Sequence, residues 1–234
     1  MILSFTKNLS INIFLSVFKY YVCDILIAYW CKKEIIRTKL GDYHDNFYQE
    51  VTYRFNAILH ATYTSIVVSL YLMGIIDPTI IDTIFINSMG YCLYDFYIIC
   101  CKKYDPHKVQ FIIHHLMMFF ILFMNYDGEQ VNILIIIKGL LAEWSTIFIN
   151  LSIIFYRIGL ANHKIFRLNS WITVVAFLVF RILLYPYLIY QAFQLNSYYY
   201  LLANIFYALN CLWFFKLIEN HWNIVIKRQA KKTL

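Results

Sequence analysis

Apolar runs recur along the chain, each followed by a short polar connection. A run of roughly 17 to 25 such residues is long enough to cross a ~30 Å hydrocarbon core as a helix. Seven runs meet that description, near residues 9–30, 52–76, 80–101, 109–125, 131–156, 171–193 and 198–218. The connections at Asp77–Thr79 and Tyr126–Gln130 have room only for tight helical hairpins. The pattern predicts an all-α polytopic membrane protein of about seven transmembrane helices in one compact bundle, with no linker, repeat or low-complexity tract. Residues 1–50 read as a first transmembrane helix and a basic loop, 51–218 as the main membrane domain, and 219–234 as a basic tail. The first run is not a signal peptide: it is long, carries Lys19 and Asp24, and lacks a small-residue cleavage site.

Composition sharpens this picture. Hydrophobic residues make up 62% of the chain and charged residues 14%, with only six Gly and three Pro, which excludes an ordinary soluble domain. The formal charge of +7 would suit nucleic acid if it formed a groove, but the basic residues are divided among alternate loops. Lys32, Lys33, Arg37 and Lys39 follow the first run, Lys102, Lys103 and Lys108 the third, Arg157, Lys164 and Arg167 the fifth, and Lys227, Arg228, Lys231 and Lys232 the seventh. By the positive-inside rule the N-terminus is expected in the lumen and the C-terminus in the cytosol. Lys231-Lys232 then sits where a dilysine signal is read by coat-protein retrieval machinery, and endoplasmic-reticulum residence is expected. The sequon Asn8-Leu9-Ser10 abuts the membrane and is expected to go unused.

The six cysteines show no metal spacing and none falls in an expected lumenal loop, so no disulfide framework is expected. Cys31, Cys100 and Cys101 lie at the cytosolic boundary, where S-acylation is one reading and simple helix packing the other.

The candidate chemistry lies in polar groups held inside apolar runs. His114 and His115 sit among Ile112, Ile113, Leu116 and Met117. Ionisable pairs at such depth are functional hypotheses by default. Counting along the helices puts both histidines about 8 Å inside the cytosolic face, with Asp95 of the preceding antiparallel segment at the same level. In the fifth segment Gly139, Glu143, Thr146 and Asn150 follow i, i+4, i+7, i+11 spacing and predict one polar stripe. Glu143 and Arg181 both fall near mid-membrane, and an ion pair between them is expected. Asn87, Tyr91 and Asp95 share a face of the third segment. Bland roles compete: Asn87, Thr146 and Asn150 suit interhelical hydrogen bonding, Glu143 and Arg181 suit a brace, and lone His60 suits helix packing. His44, His107, His163 and His221 fall near interfaces where solvation suffices.

A histidine beside a carboxylate has a fixed tautomer and raised basicity, fitting general-base or nucleophilic acyl transfer. Membrane di-iron chemistry needs several His clusters, whereas this chain has seven histidines with one close pair. No metal site is expected.

At these residues the chain resembles the TLC-domain family, which includes the ceramide synthases. The resemblance is carried by Gly90-Tyr91-Cys92-Leu93-Tyr94-Asp95, Ile113-His114-His115, Ala142-Glu143-Trp144-Ser145-Thr146-Ile147-Phe148-Ile149-Asn150, Asn169, Phe180-Arg181-Ile182 and Pro186. It implies a six-helix membrane barrel made by segments two to seven, around a lipid or substrate cavity to which Tyr91, Glu143, Thr146, Asn150 and Arg181 are assigned. It also implies His114 and His115 as acyl acceptor or base, Asp95 as orienter, membrane lipid as partner and acyl-CoA as candidate co-substrate, with no bound cofactor. Ceramide synthases carry a His-Asp and a further Asp in the segment after the pair. Here Glu143 is the only acidic residue of Val131 to Tyr156, which lacks histidine, and the run matches the non-synthase branch. Two readings stay open: a lipid-metabolic enzyme, and a non-enzymatic lipid-binding, lipid-sensing or trafficking protein. A seven-helix receptor fits the topology but lacks Asp-Arg-Tyr after the third segment and Asn-Pro-x-x-Tyr in the seventh.

Overall fold

In a computed structural model of the chain, the described residues are 2–38, 45–101, 108–126, 130–195 and 199–223. Among them there are helices and no strand: α1 (Ile2–Thr38), α2 (Asp45–Leu72), α3 (Ile80–Cys101), α4 (Lys108–Met124), α5 (Gln130–Leu140), α6 (Glu143–Arg157), α7 (Lys164–Phe177), α8 (Leu184–Gln194) and α9 (Tyr199–His221). The fifth segment is α5 followed by α6, and the sixth is α7, a π-helical stretch Leu178–Leu183 and α8. Six stretches are long and apolar enough to span a membrane, and α4 adds a shorter one, Val109–Met124. Among the described residues the protein is therefore all-α and polytopic, with seven helical segments. Lys231 and Lys232, with Lys39, Lys102, Lys103, His44 and His107, lie outside the described residues.

The sixth segment begins at Lys164, earlier than the hydropathy pattern places it. His163 is the reason: in extended backbone, its Nδ1 accepts from the Ile165 amide at 3.3 Å and caps the helix about two turns before the apolar run starts. The hairpin between α2 and α3 is as tight as its length demands. Gly74, at φ 72°, donates to Tyr71 O at 2.9 Å and Ile75 donates to Leu70 O at 3.0 Å, the paired bonds of a Schellman end. Asp77 Oδ1 then accepts from the Thr79 amide at 2.9 Å, which starts α3 and holds that exposed carboxyl below its ordinary range.

The chain forms two compact units, Met1–Ile136 and Ile137–Leu234. In the first, α3 packs against α4, α1 and α2, around Tyr20, Ala57, Tyr91 and Tyr94. The outer face of α1 exposes Phe14, Leu15, Phe18, Leu26 and Tyr29, a surface suited to lipid. In the second, α6 packs on α7, and α9 packs on α7, α8 and the π-helical stretch. Phe177 and Phe214 stack there with centroids 5.8 Å apart.

Gly90 sets how closely α1 and α3 approach. A Cβ at that position would fall 2.3 Å from Ser16 Oγ and 2.4 Å from Ser16 Cβ. Gly90→Ala should therefore destabilise the first unit by about 1–3 kcal/mol through overpacking, and adding Ser16→Gly should recover most of the loss. Thermal unfolding of the detergent-solubilised variants measures both, and a Gly90→Ala protein as stable as the parent would contradict this packing.

Candidate functional site

In the first unit, α3 and α4 bring the expected partners together. Asp95 is buried, and its Oδ2 lies 2.7 Å from His115 Nε2. His115 Nδ1 is 2.8 Å from the carbonyl of Phe111, one turn earlier on α4. A carbonyl only accepts, so Nδ1 carries a proton, and a second proton lies between Nε2 and the carboxylate. Both ring nitrogens of His115 are thus committed. His114 stands beside it with ring centroids 5.2 Å apart and planes at 89°, its side chain leaving the helix about 100° round from that of His115. Tyr53 of α2 rests against the same carboxylate.

Behind this pair lies a polar and aromatic layer. Tyr91 stacks on His60 at 4.0 Å with planes 8° apart and meets His115 edge-on at 6.2 Å. His60 Nδ1 is 3.0 Å from the Tyr20 hydroxyl and 3.3 Å from Asn87 Nδ2, and Tyr20 donates to Asn87 Oδ1 at 3.0 Å. Lys19 also donates to Asn87 Oδ1, with its ammonium 4.6 Å from the Tyr20 ring centre. Asn56 donates to the Tyr20 carbonyl and the Tyr94 hydroxyl at 3.0 and 3.1 Å, and Asp24 Oδ1 is 3.3 Å away. His60 is the packing histidine its isolation suggests. Tyr20 and Asn56 carry no signal in the sequence, and Lys19 stands out there only as a charge within the first run. Each is a lone polar side chain in a long helix, and Asn56 lies at the polar start of α2, where an amide is unremarkable.

In the second unit, the expected Glu143–Arg181 ion pair does not form. Arg181, 6% exposed, donates from Nε to Ser145 Oγ at 2.7 Å, from Nη2 to Thr146 Oγ1 at 2.8 Å and from Nη1 to Asn210 Oδ1 at 3.1 Å. Its guanidinium also lies 5.3 Å from the Phe177 ring centre. Glu143 Oε2 is buried with no hydrogen-bond partner among the described residues. The cause is a break in the fifth segment. Between α5 and α6 the amides of Leu141, Ala142, Trp144 and Ser145 bond three residues back, so the segment turns by about 120° per residue there. The projected stripe from Gly139 to Asn150 loses its phase at that point, and Glu143 becomes the first residue of α6, where its charge suits the helix N-terminus. Ser145, one residue from the stripe, takes the inward position.

Asn150 donates to the Thr146 carbonyl at 2.9 Å within its own helix. The seam between α6 and α7 is carried instead by Asn169, whose Nδ2 donates to Phe148 O at 2.9 Å and Ser152 Oγ at 2.7 Å, and by Thr173, 3.2 Å from Ser152. His221 is not left to solvent: it is 6% exposed, with Nδ1 2.8 Å from Ser170 Oγ, and Trp171 covers its ring. Tyr91 therefore sits with the histidines, and Thr146 with Arg181.

The sequence pattern of the TLC domain matches this chain over residues 1–219. The chain belongs to the TLC-domain family. The matched region of this TLC-domain protein takes in α1, whose Tyr20 and Lys19 join the layer behind Asp95 and His115. No curated protein and no solved structure matches the chain.

Removing the Asn169 amide should loosen the α6–α7 seam. Interhelical hydrogen bonds in membranes contribute about 0.6 kcal/mol on average, so Asn169→Ala should cost roughly 1 kcal/mol for its two bonds. Resistance of the purified protein to denaturation in mixed micelles reads this loss, and an unchanged midpoint would show that the seam rests on packing alone.

Proposed function

We propose that this TLC-domain protein is a lipid-modifying enzyme of the endoplasmic-reticulum membrane, transferring an acyl group from acyl-CoA through its half-buried histidine pair. The observation that carries the reading is the 2.7 Å contact between Asp95 and His115, with Nδ1 of the same ring on the Phe111 carbonyl. A ring held at both nitrogens positions charge and does not attack, which leaves nucleophilic or general-base work to His114. In that scheme a neutral His114 nitrogen attacks the thioester carbonyl, the carbon–sulfur bond breaks, and the coenzyme thiolate departs with the ring proton. A lipid hydroxyl or amine then takes the acyl group and returns a proton to the ring. Asp95 stabilises positive charge on His115 beside the developing charges. The basic residues on alternate loops support a cytosolic side for the segment after α9, and a lipid-modifying role fits residence in the endoplasmic reticulum.

A second reading, lipid binding, lipid sensing or trafficking without catalysis, is favoured by one observation. The segment after the pair lacks the His-Asp and further Asp of the ceramide synthases, with Glu143 as its only acid.

A quantitative lipidome of cells expressing the wild type, His114→Ala, Asp95→Asn or no protein, at matched levels, separates the two readings. Catalysis predicts an acyl-lipid change that vanishes in His114→Ala and falls by about 10²-fold in initial rate in Asp95→Asn. An equal shift with wild type and His114→Ala would remove the histidine from the activity and leave the binding reading.

A further inference from the structure

We propose that Arg181 and Asn210 form an acceptor site for the carboxylate of a single-chain lipid, of the long-chain fatty acid class. The site lies within the second unit and does not depend on the histidine reading.

Arg181 is a permanent cation almost fully removed from solvent, and in a membrane such a charge is costly unless paired. Its partners Ser145, Thr146 and Asn210 are neutral, and no carboxylate of a described residue forms an ion pair with it. Ser145 Oγ gives its own proton to the Ala142 carbonyl at 2.7 Å, so its lone pair faces the guanidinium. Three of the five guanidinium N–H groups are used in this way, leaving two donors. Asn210 is 1% exposed; its Oδ1 accepts from Arg181, and its Nδ2 is buried with no partner at hydrogen-bond distance among the described residues, the Tyr185 hydroxyl standing near it as a distant acceptor. The groups of both residues that lack an acceptor at hydrogen-bond distance are therefore all donors around one positive charge. Such a set selects an acceptor-only anion, and a carboxylate matches paired N–H donors.

Depth narrows the ligand further. Within the span Lys164–Gln194, Arg181 lies about 26 Å along the helix from its start and about 20 Å from its end. A phosphate headgroup belongs with the hydrated interface, whereas a carboxylate on one alkyl chain is a small enough anion to reach this level with its tail in apolar surroundings. Arg181 also lies in the π-helical stretch, where the widened turn departs from regular α-helical packing. Glu143 does not bond to Arg181 but lies close enough for both to act on Tyr185. Its charge opposes an anion and gives the test a second direction.

Thermal unfolding of the purified full chain in uncharged detergent at pH 8, with palmitate or with hexadecanol, reads the site. Palmitate should raise the wild-type midpoint by about 3–5 °C, and hexadecanol, equal in chain length but uncharged, should not. Asn210→Asp supplies an internal carboxylate to Arg181 and should abolish the palmitate shift, while Glu143→Gln should enlarge it. No palmitate shift in the wild type, equal shifts with acid and alcohol, or an undiminished palmitate shift in Asn210→Asp would each overturn the proposal. The wild-type comparison decides alone if the aspartate variant does not fold.

Discussion

Polar groups inside hydrocarbon have no water to turn to, so they are answered by other parts of the chain or by a ligand. That constraint governs both units. In the first, a carboxylate on α3 and an imidazole on α4 meet at 2.7 Å. Behind them Tyr20, His60, Asn87 and Lys19 satisfy one another across α1, α2 and α3. In the second, a cation on the π-helical stretch is held by two adjacent hydroxyls and an amide. The apolar remainder of each helix needs only to pack and to face lipid. The polar contacts are therefore what fix which helix faces which.

Two helix irregularities fall around the buried guanidinium of Arg181. The fifth segment tightens between α5 and α6, and the sixth widens between α7 and α8. Tightening brings Ser145 inward, and widening contains Arg181, so the guanidinium meets Ser145 and Thr146 side by side. Such departures occur where a side chain must be aimed against the regular helical phase. Here they join a serine, a threonine and an arginine that a straight projection would distribute differently.

Much of this was legible in the sequence, and its signal failed where helices depart from regular geometry, where a cap lies outside the apolar run, or where a lone side chain carries no pattern. Hydropathy located all seven segments because length and apolar content are direct readouts of bilayer thickness. Depth counting put Asp95 level with His115 because α3 and α4 are regular and joined by a short connection. The same counting failed for Glu143 and Arg181, since it assumed unbroken α-helix through residues 141–142 and 178–183. His163 extended the sixth segment beyond its apolar run by capping, which hydropathy does not see. Ser145 stood beside the projected stripe, so the break was the missing information. Asn210 and Tyr20 gave no signal, because one amide or phenol in an apolar helix has no periodicity.

The division of labour between the two histidines rests on His115 being held at both nitrogens and His114 doing the chemistry. Incubating the purified chain with long-chain acyl-CoA, quenching, and mapping acylated peptides by mass spectrometry addresses it directly. The account predicts an acyl adduct on His114 that disappears in His114→Ala and forms more slowly in Asp95→Asn. An adduct on His115, or acyl transfer to lipid that persists in His114→Ala, would contradict it.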